Sequence, residues 1–140
     1  VSINITKSRE SDKSEVISYV LSILNKYNVN VESIPTSIDS FSVVIDNKNN
    51  KKIYDIISLI KQNENIESIS MDNDLALLAI VGRNMMYKPG ISAKVFSTLG
   101  KNNINVKLIS QNTSEINIVV GIKNEDLEKA IKVLYKELIN

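Results

Sequence analysis

The stretch VLSILNKYNVNVESI, Val20 to Ile34, returns 75 positions later as VFSTLGKNNINVKLI, Val95 to Ile109, with eight of its fifteen residues unchanged. Leu24/Leu99, Asn28/Asn103, Asn30/Asn105 and Val31/Val106 are among the unchanged pairs. The same offset sets VSINIT (1–6) against ALLAIV (76–81), Lys13 against Lys88, and FSVVI (41–45) against INIVV (116–120). Self-similarity sustained at one offset marks two modules of one design in tandem. The boundaries it predicts are 1–74 and 75–140.

Both modules read alike. Val1, Ile3 and Ile5 alternate as a half-buried strand, and Val16, Val20, Leu21, Ile23, Leu24 and Tyr27 recur at helical spacing. A strand and loop follow, then the strand FSVVI, a helix marked by Ile53, Ile56, Ile57 and Ile60, and the strand IESISM (66–71). The order is βαββαβ. In the second module LALLAIV (75–81) and INVKLIS (104–110) flank a helix starting near Ile91. EINIVVGI (115–122) then leads to a last helix through Leu127, Ala130, Ile131, Leu134 and Leu138. This order predicts an α+β fold of ferredoxin-like type, with an antiparallel sheet carrying both helices on one face. The second module is one strand short, to be completed by residues upstream of Val1 or by a partner. The strand-like opening at Val1 itself suggests a segment of a longer protein.

Composition excludes several functions. Seventeen Lys and Arg face sixteen Asp and Glu, a net charge of +1, so no strong field draws nucleic acid or anionic membrane. No apolar run reaches transmembrane length, no signal-peptide pattern appears, and there is no cysteine, which points to the cytoplasm. Without His or Cys there is no imidazole base, no thiolate and no soft-metal site, so no catalytic or metal residue is assigned. The four glycines, Gly82, Gly90, Gly100 and Gly121, form neither GxxxxGK nor GxGxxG. An RNA-binding sheet of this order needs stacking aromatics on its first and third strands. Here those strands offer only Phe41.

Two polar stretches remain. LISQNTSEINIVVG (108–121) interrupts two apolar strands with Ser, Gln, Asn, Thr and Glu, too long for a tight hairpin and without a glycine to ease the turn; taken alone it reads as a solvated loop. In VGRNMMYKPGISAKVF (81–96), Pro89 fixes the helix entry and Gly90 allows close backbone approach, so free N–H groups could receive a carboxylate. A capped helix and a turn would account for the same residues.

The run from Gly82 to Tyr135 contains GRNMMYKPGI, of the form G-x-x-M-x-x-x-x-G-[IV], and ISQNTSEINI. It closely resembles the C-terminal regulatory region of bacterial aspartate kinases, built of tandem ACT domains. NVNVESIPTSIDSFSVVI (28–45) likewise resembles the first ACT domain of the monofunctional, lysine-sensitive type, so the likeness covers essentially the whole chain. In that family a kinase domain phosphorylates the aspartate β-carboxylate with ATP, and the ACT pair binds an end-product amino acid to inhibit it. The resemblance therefore implies a feedback sensor with lysine as first effector and threonine as second. It implies a homodimer through the ACT domains, an upstream kinase domain holding ATP and Mg, and no cofactor, nucleic acid or membrane for this segment itself.

By the family's pattern, effector contacts in the first module fall on Val16 and Ile17, on Asn30, Val31 and Glu32, and on Ser37, Ile38 and Asp39. Met85, Pro89, Gly90, Ile91, Gln111, Ser114, Glu115 and Asn117 would line the second module's loop or a dimer interface. The polarity of QNTSEIN is then that of a surface facing an effector or a paired ACT unit. One departure stands out: the first module has Glu15 where the family has a glycine, opposite Gly90 in the repeat, and a carboxylate there would repel an effector's α-carboxylate. Alternatives are an ACT sensor serving another amino-acid enzyme and a dimerisation unit that binds no ligand.

Overall fold

In a computed structural model that describes residues 1–46, 52–82, 89–111 and 117–139, the chain divides into two units, Val1–Asn73 and Asp74–Asn140. The first runs β1 (Ser2–Lys7), α1 (Lys13–Lys26), β2 (Val31–Ser33), β3 (Ser40–Ile45), α2 (Ile53–Lys61) and β4 (Ile66–Asp72). Its sheet has the order β2-β3-β1-β4, with β1 antiparallel to both neighbours and Ile5 opposite Phe41 and Ile69. Alternation places Ile3 and Ile5 of β1 and Phe41, Val43 and Ile45 of β3 on one face. There they meet Val16, Val20 and Leu24 of α1 and Ile53, Ile56 and Ile60 of α2 in a single apolar core. Ser2, Asn4 and Ser42 lie on the other face, where both serine hydroxyls donate to Asn4 Oδ1, at 2.9 and 2.7 Å.

The second unit repeats this plan with β5 (Ala76–Val81), α3 (Ile91–Lys101), β6 (Leu108–Ser110), β7 (Asn117–Ile122), a short 3-10 turn (Asn124–Asp126) and α4 (Leu127–Ile139). Its sheet is β5-β7-β6, with Ile118, Val120 and Ile122 packed under Val95, Leu99, Ala130 and Leu134. In the first unit β4 lies beside β1; beside β5 no described strand takes that place. The space is an open apolar groove of about 320 Å³ along Leu78, Ile80, Ile131, Tyr135, Leu138 and Ile139. Val81, Tyr135 and Ile139 are each more than 60% exposed on its rim.

The pair Asn28/Asn103 survives in the repeat for a conformational reason. Both are left-handed, at φ 56° and 57°, and both end a helix. The N–H of Asn28 reaches Asn25 O and that of Val29 reaches Leu24 O; Asn103 and Ile104 make the same bonds to Gly100 and Leu99. Two helices thus stop in the same 6→1 and 5→2 motif, at a position where only Gly or Asn sits without a large steric cost. Val29 and Ile104, the next residues, turn back into the two cores.

The helix starts differ. α3 begins at Ile91 after Gly90, whose φ of 90° needs a residue without Cβ strain. Under the offset α1 would begin at Val16, but it begins at Lys13, because Asp12 caps it by accepting from Ser14 N at 3.0 Å. Glu15 is therefore not at the helix entry. It is an exposed first-turn acid, favourably placed against the helix dipole.

Candidate functional site

In the first unit the ends of β1, β2 and β3 nearest the start of α1 converge. Pro35 removes one N–H from the β2–β3 connection, which runs instead through Ser42 N→Pro35 O, Ser37 N→Ser40 O and a single bridge between Thr36 and Phe41. Two lysines tie this loop to the β1–α1 turn. Lys13 Nζ donates to Ser37 O at 2.9 Å, and Lys7 Nζ lies 3.8 Å from Asp39 Oδ1 and 3.3 Å from Ser8 O. The Lys7 backbone N–H donates to Asp39 O at 3.0 Å. Asp12 completes the rim, its carboxyl held below the usual carboxylate range by the Ser14 hydroxyl and N–H.

The expected effector residues fall into three groups. Ser37, Ile38 and Asp39 are exposed at this rim, Ile38 at 84%. Asn30 precedes the outer edge strand and Val31 and Glu32 lie on it, where the register shifts between Val31 (opposite Ile45) and Ser33 (opposite Val44). Glu32 stands in that irregularity, a device that re-aims a side chain. It is exposed and makes no hydrogen bond or ion pair among the described residues. Val16 and Ile17 turn toward the core: Val16 is 1% exposed with its N–H bonded to Asp12 O, and Ile17 packs against the same cluster. Neither side chain reaches the rim as a polar contact. Phe41 is 2% exposed in that core too, which removes the one aromatic an RNA-stacking surface could have used.

Sequence reasoning passed over Lys7 and Lys13. The signal for Lys7 was present, since Ile3, Ile5 and Lys7 form one alternating series and the last of them is charged. Lys7 is 8% exposed, and here too the sheet register shifts, between Thr6 and Lys7.

In the second unit Met85, Ser114 and Glu115 lie outside the described residues. Pro89 and Gly90 are exposed ahead of α3, Ile91 is half-buried at the end of the apolar groove, Gln111 is exposed after β6, and Asn117 opens β7 opposite Val81. Lys107, the counterpart of Glu32, donates from Nζ to Asp74 O at 2.7 Å. Among the described residues no group of His, Cys, Asp and Glu could hold a metal ion, and no helix is long and apolar enough to cross a membrane.

Residues 78–138 match the ACT domain family. The chain is 30% identical over 138 residues to the aspartate kinase FUB3 of Gibberella moniliformis, a match that takes in 97% of this chain and 26% of that protein. It superposes on the aspartate kinase of Clostridium acetobutylicum with a TM-score of 0.91 at 39% identity, covering 97% of this chain and 32% of that one. The C-terminal regulatory domain assigned to an aspartate kinase of Porphyromonas gingivalis W83 gives 0.82 at 27% identity, covering 99% and 91%. The chain thus spans about a quarter to a third of the whole kinases it matches. The second unit is an ACT domain, and the chain from end to end is similar to the regulatory region of aspartate kinases.

Proposed function

We propose that this chain is the amino-acid-sensing regulatory region of an aspartate kinase and works in the cytoplasm. An upstream kinase domain would bind ATP and Mg and phosphorylate aspartate, while this region carries no catalytic group. The observation that supports it best is the length of the likeness, which runs through both units rather than one. The purified chain is accordingly expected to form no aspartyl phosphate from ATP and aspartate.

The effector is a free amino acid, lysine before threonine, taken at the rim of the first unit. Lysine presents an ε-ammonium that needs an acidic partner, and Glu32 has its carboxylate uncommitted, whereas Asp39 already faces Lys7. Lys107 at the matching place would repel that cation, so the second unit is left for pairing. Glu32→Ala is expected to weaken lysine binding by about 1–3 kcal/mol, the scale of a lost charge-assisted hydrogen bond, while Lys107→Ala leaves it unchanged. Titration calorimetry checks both, and wild-type affinity in the Glu32 variant would remove that residue from the site.

The assembly is a homodimer through the ACT sheets, with the place beside β5 taken by a strand from upstream or from a partner. A six-residue apolar edge above an unfilled groove is a surface that such folds cover. Sedimentation at micromolar concentration should give a dimer burying more than about 1,000 Å². A monomer would contradict the assembly without touching the effector.

A further inference from the structure

Lys7 has the chemistry of a receptor and the burial of a core residue. Its side chain is 9% exposed, yet the anion facing it, Asp39, is 62% exposed and 3.8 Å away. A charge-assisted N–H···O contact closes to about 2.7–2.9 Å, so this ion pair is open by roughly an ångström. The ammonium's hydrogen bond to Ser8 O is long at 3.3 Å. Asp12 stands near enough to feel Lys7, but its carboxylate is spent on Ser14. The ammonium thus has room for an anion at contact distance, which its present partner does not fill.

We propose that the open pair Lys7–Asp39 receives the α-zwitterion of the effector, with the α-carboxylate on Lys7 Nζ and the α-ammonium on Asp39. This rests on the amino-acid-sensing reading and names the groups that serve it. A zwitterion is the complement of an ion pair: inserted between the two charges, it replaces one long contact by two short ones and leaves the net charge of the site unchanged. The pair also lies where insertion would be felt, because Asp39 holds β1 through its carbonyl and Lys13 holds the same loop at Ser37.

The test uses the whole 140-residue chain, Lys7→Gln, Lys7→Arg and Asp39→Asn variants, and three probes: L-lysine, L-lysinamide, which lacks the carboxylate, and 6-aminohexanoate, which lacks the α-ammonium. Calorimetry should show lysine binding wild type at least about tenfold more tightly than either analogue. Lys7→Gln should abolish the preference for lysine over lysinamide while keeping that over 6-aminohexanoate, and Asp39→Asn should do the reverse. Lys7→Arg should retain both preferences. Asp39→Asn alters an exposed side chain, so the proposal stays testable if Lys7→Gln fails to fold. Equal weakening of all three probes in each variant, or no change, overturns the proposal and leaves the sensor standing. If wild type binds neither lysine nor threonine at millimolar concentration, both readings fall.

Discussion

A Phe41→Ala variant is expected to lose about 3–5 kcal/mol of folding stability, the usual result of emptying a fully buried aromatic site. Among the described residues Phe41 is the largest fully buried side chain, and it lies on β3 opposite Ile5, the centre of the first unit's sheet. Its neighbours are held by backbone pairing on both sides of β1 and cannot collapse far into the gap. The residue also pairs with Thr36 in the loop from Pro35 to Asp39, beside the hydrogen bonds of Ser42 to Pro35 and of Ser37 to Ser40. Urea unfolding should therefore show a lower midpoint. A change under 1.5 kcal/mol would mean that the site relaxes in a way its strand pairing does not allow.

Gly121→Val should harm the second unit nearly as much, by the opposite mechanism. Gly121 is the middle of three strands, paired with Leu77 of β5 and Leu108 of β6. A Cβ there would stand 2.7 Å from the Cβ of Leu108 and 2.8 Å from Leu75 Cδ1. The first contact is the harder one, because a Cβ moves only with its backbone. Overpacking of this kind costs about 1–3 kcal/mol and here falls on the strand that joins the sheet together. Gly121→Ala already introduces that atom, so it should show most of the loss, and an alanine variant as stable as wild type would refute the clash.

Much of this fold was legible because burial and periodicity agree. Ile53, Ile56 and Ile60 recur as a helix should, and all three are buried; Ile3 and Ile5 alternate with Asn4 and Thr6 in β1, while ALLAIV and FSVVI are short apolar runs that are strands as well. The readings drift where local hydrogen bonding competes with pattern. INVKLIS alternates over its first five residues, but only Leu108–Ser110 pairs as a strand, since Ile104 closes the preceding helix and is drawn into the core. α1 starts a turn before its first apolar residue because Asp12 supplies a cap that hydropathy does not register. The site was harder still. Glu32 could be named from residue type, whereas Lys7 depends on a register shift and on a carboxylate brought from 32 positions away, neither of which periodicity encodes. Val16 lies one turn into α1, which Asp12 caps at Lys13.

β5 has a consequence for how the molecule can be handled. ALLAIV carries no charge and no proline, the two features by which natural sheets discourage cross-β stacking, and its outer backbone groups face no described strand. A strand paired with that row would act as a gatekeeper against fibrils. Stripped of it, the chain should be lost from concentrated solution by ordered growth on this strand rather than by unfolding. The signature would be a lag phase that shortens with concentration at temperatures where both cores are intact.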